Sequence, residues 1–354
     1  KFVSEVILSD DNGFTWRNAK ADIVINNGGA ALETGAVEPV TVELPDGQIW
    51  MLIRTQMGRL YESYSQDGGE IWTDPQPTPF ASSNAPAGLL RLKDGRILMC
   101  WNNCKGEPFI EGISYARQSL VAAIRGLDGC WRGYREIVRL QPTDDSDLLV
   151  CYPWMQELAD GQVIVGYLHA NIQKWDETVH FRATRIDPSW VEAEYAQEEW
   201  EDGTLQCSLT PTGANVKPHP EGDRIMHLCQ SEGNKSAGLT WNYPFAKSGI
   251  VNMRIMTEVD FSGVHVTLSE SFLKPSNKQG GLFHLNIGAD GRLSAQYANG
   301  GPYIPLEMAK VISPTTWIDI EFKWDCETGI TLVHINGELA GSISQLEEGR
   351  GISY

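Results

Sequence analysis

The chain has 354 residues, 42% of them hydrophobic and 21% charged, with a net charge of −18. That balance excludes a disordered chain and gives enough apolar material for two soluble domains of ordinary size. The acidic excess excludes a phosphate-tracking nucleic-acid binder, and no apolar run reaches the ~20 residues of a membrane-spanning helix.

The first element is a turn-forming box, Ser9-Asp10-Asp11-Asn12-Gly13-Phe14-Thr15-Trp16, which fits S-x-D-x-G-x-T-W in full. Asp suits the capping of backbone N–H groups, Gly the left-handed φ, and Trp a place between sheets. Two apolar, alternating runs follow at 40–44 and 49–53, split by Pro45-Asp46-Gly47. Asp-Gly between such runs predicts a β-hairpin with a type I′ turn. The box returns at Ser65-Gln66-Asp67-Gly68-Gly69-Glu70-Ile71-Trp72, with Ile in the Thr position. A second hairpin, 89–92 with 97–101, turns at Lys93-Asp94-Gly95. Residues 115–125 have a composition open to helix, but their place in the repeat predicts a strand. A shortened box, Gly126-Leu127-Asp128-Gly129-Cys130-Trp131, comes next. A third hairpin turns at Ala159-Asp160-Gly161. No helix is expected in this half. A strand-built repeat of about 50 residues predicts the blades of a β-propeller.

Residues 191–204 are acidic and read as a linker. Beyond them, strands are predicted at 250–260, 281–287, 293–297, 317–324 and 330–335, with hairpin turns at Asp290-Gly291 and Asn336-Gly337. This is the pattern of an all-β sandwich. The expected organisation is therefore a propeller part at 1–190, a linker at 191–204 and a sandwich at 205–354. A propeller closes as a ring of about four to eight blades, and at ~40–50 residues per blade residues 1–190 supply only about four. The expectation is a chain cut at both ends, its propeller partial and its sandwich incomplete.

The seven cysteines include no pair of CxxC motifs, which argues against a zinc cage. Free thiols are expected, with Cys207–Cys229 the one pairing left open. No cofactor and no metal ligand set is implied, and His169 and His180 are expected to pack or lie at the surface.

The stretch Val37-Glu38-Pro39-Val40-Thr41-Val42-Glu43-Leu44-Pro45-Asp46-Gly47, running on to Leu52-Ile53-Arg54-Thr55, resembles bacterial exo-sialidases, with the second box following. The resemblance covers nearly all of residues 1–190, with 179–190 similar to the family's last propeller strand, and implies a propeller of the six-bladed type. It implies that Tyr152, in Cys151-Tyr152-Pro153-Trp154, is a nucleophile and Glu38 the base that activates it. It implies that Arg54 and Arg117 bind a substrate carboxylate. The family's acid/base Asp and first arginine would lie upstream of Lys1. The pattern Trp317-Ile318-Asp319-Ile320-Glu321-Phe322-Lys323-Trp324 and Val333-His334-Ile335-Asn336-Gly337 resembles laminin-G and concanavalin-like domains of jelly-roll type.

Such a residue set has a chemical logic. Sialic acid carries a carboxylate on its anomeric carbon, which arginines grip by paired, charge-assisted hydrogen bonds. A neutral tyrosine escapes the repulsion that a carboxylate nucleophile would meet there, but needs a base to take its proton. The implied partners are sialylated or other acidic glycans, and the implied location is secreted, periplasmic or at the cell surface. Two other functions remain open: a lyase or hydrolase for uronate polysaccharides, and a non-catalytic glycan-binding protein. For the residues themselves, a structural Glu38–Arg54 ion pair, a surface Arg117 and a core Tyr152 are the alternatives.

Overall fold

The computed structural model describes residues 2–25, 35–104, 117–140, 148–171, 179–201, 206–210, 212–219, 222–230, 236–275 and 280–354. The first half is a succession of antiparallel sheets. Strands β1 (Ile7–Leu8) and β2 (Arg17–Asn18) pair across the first box. A four-stranded sheet follows: β3 (Val37–Glu43), β4 (Ile49–Arg54), β5 (Arg59–Ser65) and β6 (Gln76–Ala81). The next comprises β7 (Gly88–Arg91), β8 (Ile97–Trp101), β9 (Ser119–Arg125) and β10 (Trp131–Arg139). Then come β11 (Leu148–Glu157), β12 (Val163–Asn171) and β13 (His180–Ile186) in a three-stranded sheet. Of the expected strand at 115–125, residues 115 and 116 lie outside the described residues.

These sheets stack through their faces. Trp50, Leu52 and Phe80 of one sheet share a core with Met99, Trp101 and Val121 of the next. Leu98, Cys100 and Ile124 in turn meet Val163 and Val165 of the third. The first strands of the three sheets also touch, with β7 seated between β3 and β11.

The two full boxes fold alike. The Ser9 hydroxyl accepts from Gly13 N–H (2.7 Å) and that of Ser65 from Gly69 N–H (2.9 Å). Asp11 Oδ1 accepts from Thr15 N–H, Asp67 Oδ1 from Ile71 N–H, and each Trp Nε1 donates back to the glycine carbonyl. The Thr15 hydroxyl and N–H hold the Asp11 carboxyl below the usual carboxylate range. Trp72 packs against Met51 and Ile53, but Trp16 is 60% exposed and does not sit between sheets as expected. Its role here is the local bond to Gly13.

The Asp-Gly hairpins are also not all of the expected type. In the loop at Asp46, Gly47 N–H donates to the Leu44 carbonyl and Leu44 N–H to that of Gln48, and only the glycine has positive φ (82°). This is a type I turn closed by a left-handed glycine. Pro45 suits the first central position of such a turn, but it is not required: the loops at Asp94, Asp128, Asp160 and Asp290 close with the same pair of backbone bonds and no proline. Asp46 accepts from the N–H after the glycine, and Asp94, Asp128, Asp160 and Asp290 repeat that bond. Asn336-Gly337, with φ of 50° and 80°, is the one of these turns in which both central residues are left-handed.

Among the described residues one helix, α1 (Pro188–Glu192), ends this half, although none was expected. Asp187 caps it by accepting from Ser189 N–H (2.8 Å), with Pro188 in its first turn. Val191, expected to open the linker, is instead fully buried against Gly133, where any β-carbon would lie 2.8 Å from its side chain. Among the described residues no helix is long and apolar enough to cross a membrane.

In the second half, β14 (Cys207–Leu209) pairs with β17 (Leu239–Trp241), and β15 (Ala214–Pro218) with β16 (Arg224–Leu228). Two four-stranded antiparallel sheets follow. One joins β18 (Ser248–Ile255), β23 (Ile318–Asp325), β24 (Ile330–Ile335) and β25 (Glu338–Ser344). The other joins β19 (Val264–Leu268), β20 (Phe283–Ile287), β21 (Leu293–Gln296) and β22 (Tyr303–Pro305). Their inner faces share one core, in which Ile320, Phe322 and Trp324 oppose Phe283, Leu285 and Ile287. All seven cysteines are free, so Cys207 and Cys229 are not paired.

The halves meet through aromatic and polar contacts. Phe245 stacks on Tyr134 with ring centroids 4.1 Å apart, and Glu270 pairs with Arg59 at 3.3 Å. The Tyr354 hydroxyl donates to Glu136 (3.0 Å), a fully buried carboxylate that also holds Arg139 Nε at 2.9 Å. A buried charge that loses a donor is left undersolvated, so Tyr354→Phe is expected to lower the free energy of unfolding by about 2 kcal/mol. Urea denaturation of both proteins measures this, and an unchanged midpoint would show that the bond adds nothing.

Candidate active site

Three of the four residues singled out by sequence converge at one end of the first-strand layer. Glu38 sits near the start of β3, Arg54 ends β4, and Tyr152 lies in β11. Two β-bulges aim the first and last of these. The register of β3 on β4 shifts between Val37 and Val40, and that of β11 on β12 between Cys151 and Trp154. Glu38 and Tyr152 occupy those bulges with φ of 45° and 55°. A left-handed conformation is costly for side chains other than glycine, and bulges that re-aim a side chain cluster beside functional sites. Strain alone is not the mark of a site, however. Tyr134 has the same conformation (φ 55°) in a bulge of β10, yet it is buried against Phe245.

The strand between them is adapted to the approach. Gly88 opens β7, and a β-carbon there would lie 2.6 Å from the Pro153 carbonyl oxygen. Glycine thus lets β11 come close at the residue following Tyr152.

The resulting contacts are direct. The Tyr152 hydroxyl donates to Glu38 Oε1 at 3.1 Å, and Arg54 Nη1 donates to the Tyr152 oxygen at 3.3 Å. The same Nη1 forms a short ion pair with Glu38 Oε2. Tyr152 is 37% exposed and the Glu38 side chain 40%, whereas that of Arg54 is only 10% exposed. A phenol and a carboxylate therefore face solvent above a largely covered guanidinium.

Arg117 lies below and is 5% exposed, so it is not a surface residue. Its guanidinium carbon is 5.8 Å from the Tyr152 ring centroid, and Nη1 reaches Cys151 Sγ at 3.5 Å. Burial pushes the Cys151 thiol up, with the nearby Arg117 charge opposing it.

Sequence reasoning missed Asn84, which organises both arginines. Its side-chain Oδ1 accepts from Arg54 Nε at 2.7 Å, and its carbonyl accepts from Arg117 Nη2. It lies 3% exposed in the connection between β6 and β7, and a run of Ser82, Ser83 and Asn84 between two strands is the only trace it leaves in sequence. Asn84→Ala removes the acceptor that aims Arg54 and is expected to weaken binding of a carboxylate-bearing sialic acid analogue about tenfold, as for one hydrogen bond to a charged group. Asn84→Asp keeps that acceptor and should restore binding in titration calorimetry. Equal weakening in both variants would show that Asn84 acts only through the loop's packing.

Chemically the cluster can deprotonate a phenol: an acceptor carboxylate is in contact with the hydroxyl, and a guanidinium faces the oxygen where charge would develop. Among the described residues no group of His, Cys, Asp and Glu is placed to hold a metal ion.

A family model described as a BNR repeat-like domain matches residues 1–165. No curated protein matches the chain. Among solved structures, similarity is found to a sialidase at 17% identity, covering 91% of this chain and 28% of that one, with a TM-score of 0.39. The intramolecular trans-sialidase from Ruminococcus gnavus is 22% identical over 53% of this chain and 39% of its own, with a TM-score of 0.36. Trypanosoma rangeli sialidase is 12% identical, covering 99% of this chain and 62% of its own, also with a TM-score of 0.36. The chain thus spans less than two thirds of each of these relatives. The stretch matched by that family model includes Glu38, Arg54 and Tyr152.

Proposed function

We propose that the protein is a retaining exo-α-sialidase that removes terminal sialic acid from glycans. The observation that carries this reading is the contact of the Tyr152 hydroxyl with Glu38 Oε1 beside Arg54. In the proposed reaction Arg54, with Arg117 beneath Tyr152, binds the substrate carboxylate, which displaces Arg54 from its pair with Glu38. Tyr152 Oη forms a bond to the anomeric carbon as its proton passes to Glu38 Oε1. The bond from that carbon to the leaving oxygen breaks, and the leaving oxygen takes a proton from a general acid to which no residue is assigned here. Water then attacks the same carbon and gives a proton to the conjugate base of that general acid. The bond to Tyr152 Oη breaks and the phenolate takes its proton back from Glu38, so two inversions retain configuration. The four sheets of residues 1–190 are read as propeller blades. The sandwich is read as a laminin-G-like accessory domain for glycan contact or spacing, and the protein as secreted, periplasmic or displayed at the cell surface.

The test is release of sialic acid from an aryl α-sialoside by protein expressed from its full reading frame. Release with retention supports the reading. A well-folded protein that binds sialosides without turnover would make it a glycan-binding protein, and turnover of uronate polysaccharides instead would make it a different acidic-sugar enzyme.

A further inference from the structure

A cleft of ≈ 410 Å³ lies away from the Glu38–Tyr152 cluster, at the opposite end of the same hairpin. Strand β3 runs from Glu38 down to the Asp46 loop and β4 returns up to Arg54, and the cleft opens at that loop. Its other wall is the β9–β10 turn of the next sheet, with Arg125, Gly129 and Trp131.

The lining is a built arrangement of aromatic faces and fixed polar groups. Trp50 and Trp131 have ring centroids 5.8 Å apart at 49°, and Phe80 props Trp131 edge-on at 5.1 Å. Behind them stands Glu62, whose Oε2 accepts both from Trp50 Nε1 (2.8 Å) and from the Tyr64 hydroxyl (2.9 Å). Both bonds fall on one oxygen, so the carboxylate is held in place with Oε1 left to accept from something else. Arg125, Gln48 and Asp46 stand at the rim, adding donors and a second carboxylate.

An indole face receives the C–H face of a sugar ring, while an oriented carboxylate and a planar guanidinium accept from and donate to neighbouring hydroxyls. The charge decides which sugar. Two carboxylates against one guanidinium, in a chain of net charge −18, repel an anionic ring. We propose that this cleft is a second carbohydrate site that takes a neutral mono- or disaccharide, with Trp131 as the stacking face and Glu62 Oε1 and Arg125 as the hydroxyl partners. It would hold a glycan chain by its uncharged sugars, at a point remote from the acidic-sugar cluster.

The experiment is saturation-transfer NMR and titration calorimetry with methyl β-galactoside, methyl α-glucoside, lactose and diacetylchitobiose. At least one is expected to bind with a dissociation constant of about 1 mM, weakened roughly tenfold or more by Glu62→Gln and by Arg125→Ala. Because Glu62→Gln also disturbs Trp50 and Tyr64, the rim variant Gln48→Ala serves as a further probe with the same expectation. Tyr152→Phe should leave this binding unchanged. No binding of any of the four at about 10 mM overturns the proposal, as does binding that survives all three cleft variants or disappears in Tyr152→Phe.

Discussion

Tyr152→Phe is expected to lower hydrolysis of an aryl α-sialoside by at least about 10³-fold while the protein stays folded, because it deletes the oxygen proposed to attack and nothing else. Tyr152 is 37% exposed, and the bonds of its hydroxyl are to Glu38 and Arg54, which remain paired with each other when it is gone. No buried charge is orphaned, so the stability change should stay within about 1 kcal/mol. The ring is retained over Arg117, so the floor of the site is unchanged. A parallel measurement of the thermal midpoint and of rate therefore separates chemistry from folding. Near-normal turnover would remove Tyr152 as nucleophile. An aryl leaving group is the right probe, since a phenolate departs with little help from an acid and the rate then reports on attack.

Much of the fold was legible because strands and turns are local. The runs at 40–44 and 49–53 and the following Asp-Gly hairpins carry their structure in residue alternation, and β4 and β8 lie where the pattern places them. The turn type was not legible from Asp-Gly alone. In five of these loops the Asp side chain accepts from the N–H after the glycine and only the glycine is left-handed, whereas Asn336-Gly337 has both central residues left-handed. The helix at Pro188–Glu192 did leave a signal, Asp187 followed by Pro188, but five residues give no periodicity to support it. Trp16 shows the reverse failure: its box is complete, yet the packing surface a Trp needs is set by distant residues.

The site divides in the same way. Glu38, Arg54 and Tyr152 were found through the resemblance of the segments that carry them, and β-bulges then bring them into contact. Asn84 was invisible because its function is a matter of where its carbonyl and amide point, which no spacing encodes. The cleft at Trp50 and Trp131 was invisible for a related reason: its walls belong to different sheets and become neighbours only when those sheets stack.

Arg54→Ala should cost about 2–5 kcal/mol in binding of a carboxylate-bearing sialic acid analogue, or about 30-fold to several thousand-fold in affinity. The range follows from the setting of the side chain, which is largely covered and aimed by Asn84, so the guanidinium meets a carboxylate with little water between them. In the unliganded protein Arg54 is occupied by Glu38, and an incoming carboxylate must compete for it. Glu38 is 40% exposed, so when Arg54 is removed water can solvate it, and the fold should lose little. This distinguishes a binding arginine from a structural one, for which stability rather than affinity would fall. Arg54→Lys sharpens the test: it restores the charge but not the two-pronged geometry, and its affinity should fall between wild type and Arg54→Ala. If instead both variants bind the analogue as well as wild type does, the Glu38–Arg54 pair is only a brace between β3 and β4. The carboxylate site would then have to be sought elsewhere, and Glu38 would be free to act as a base without any exchange of partners.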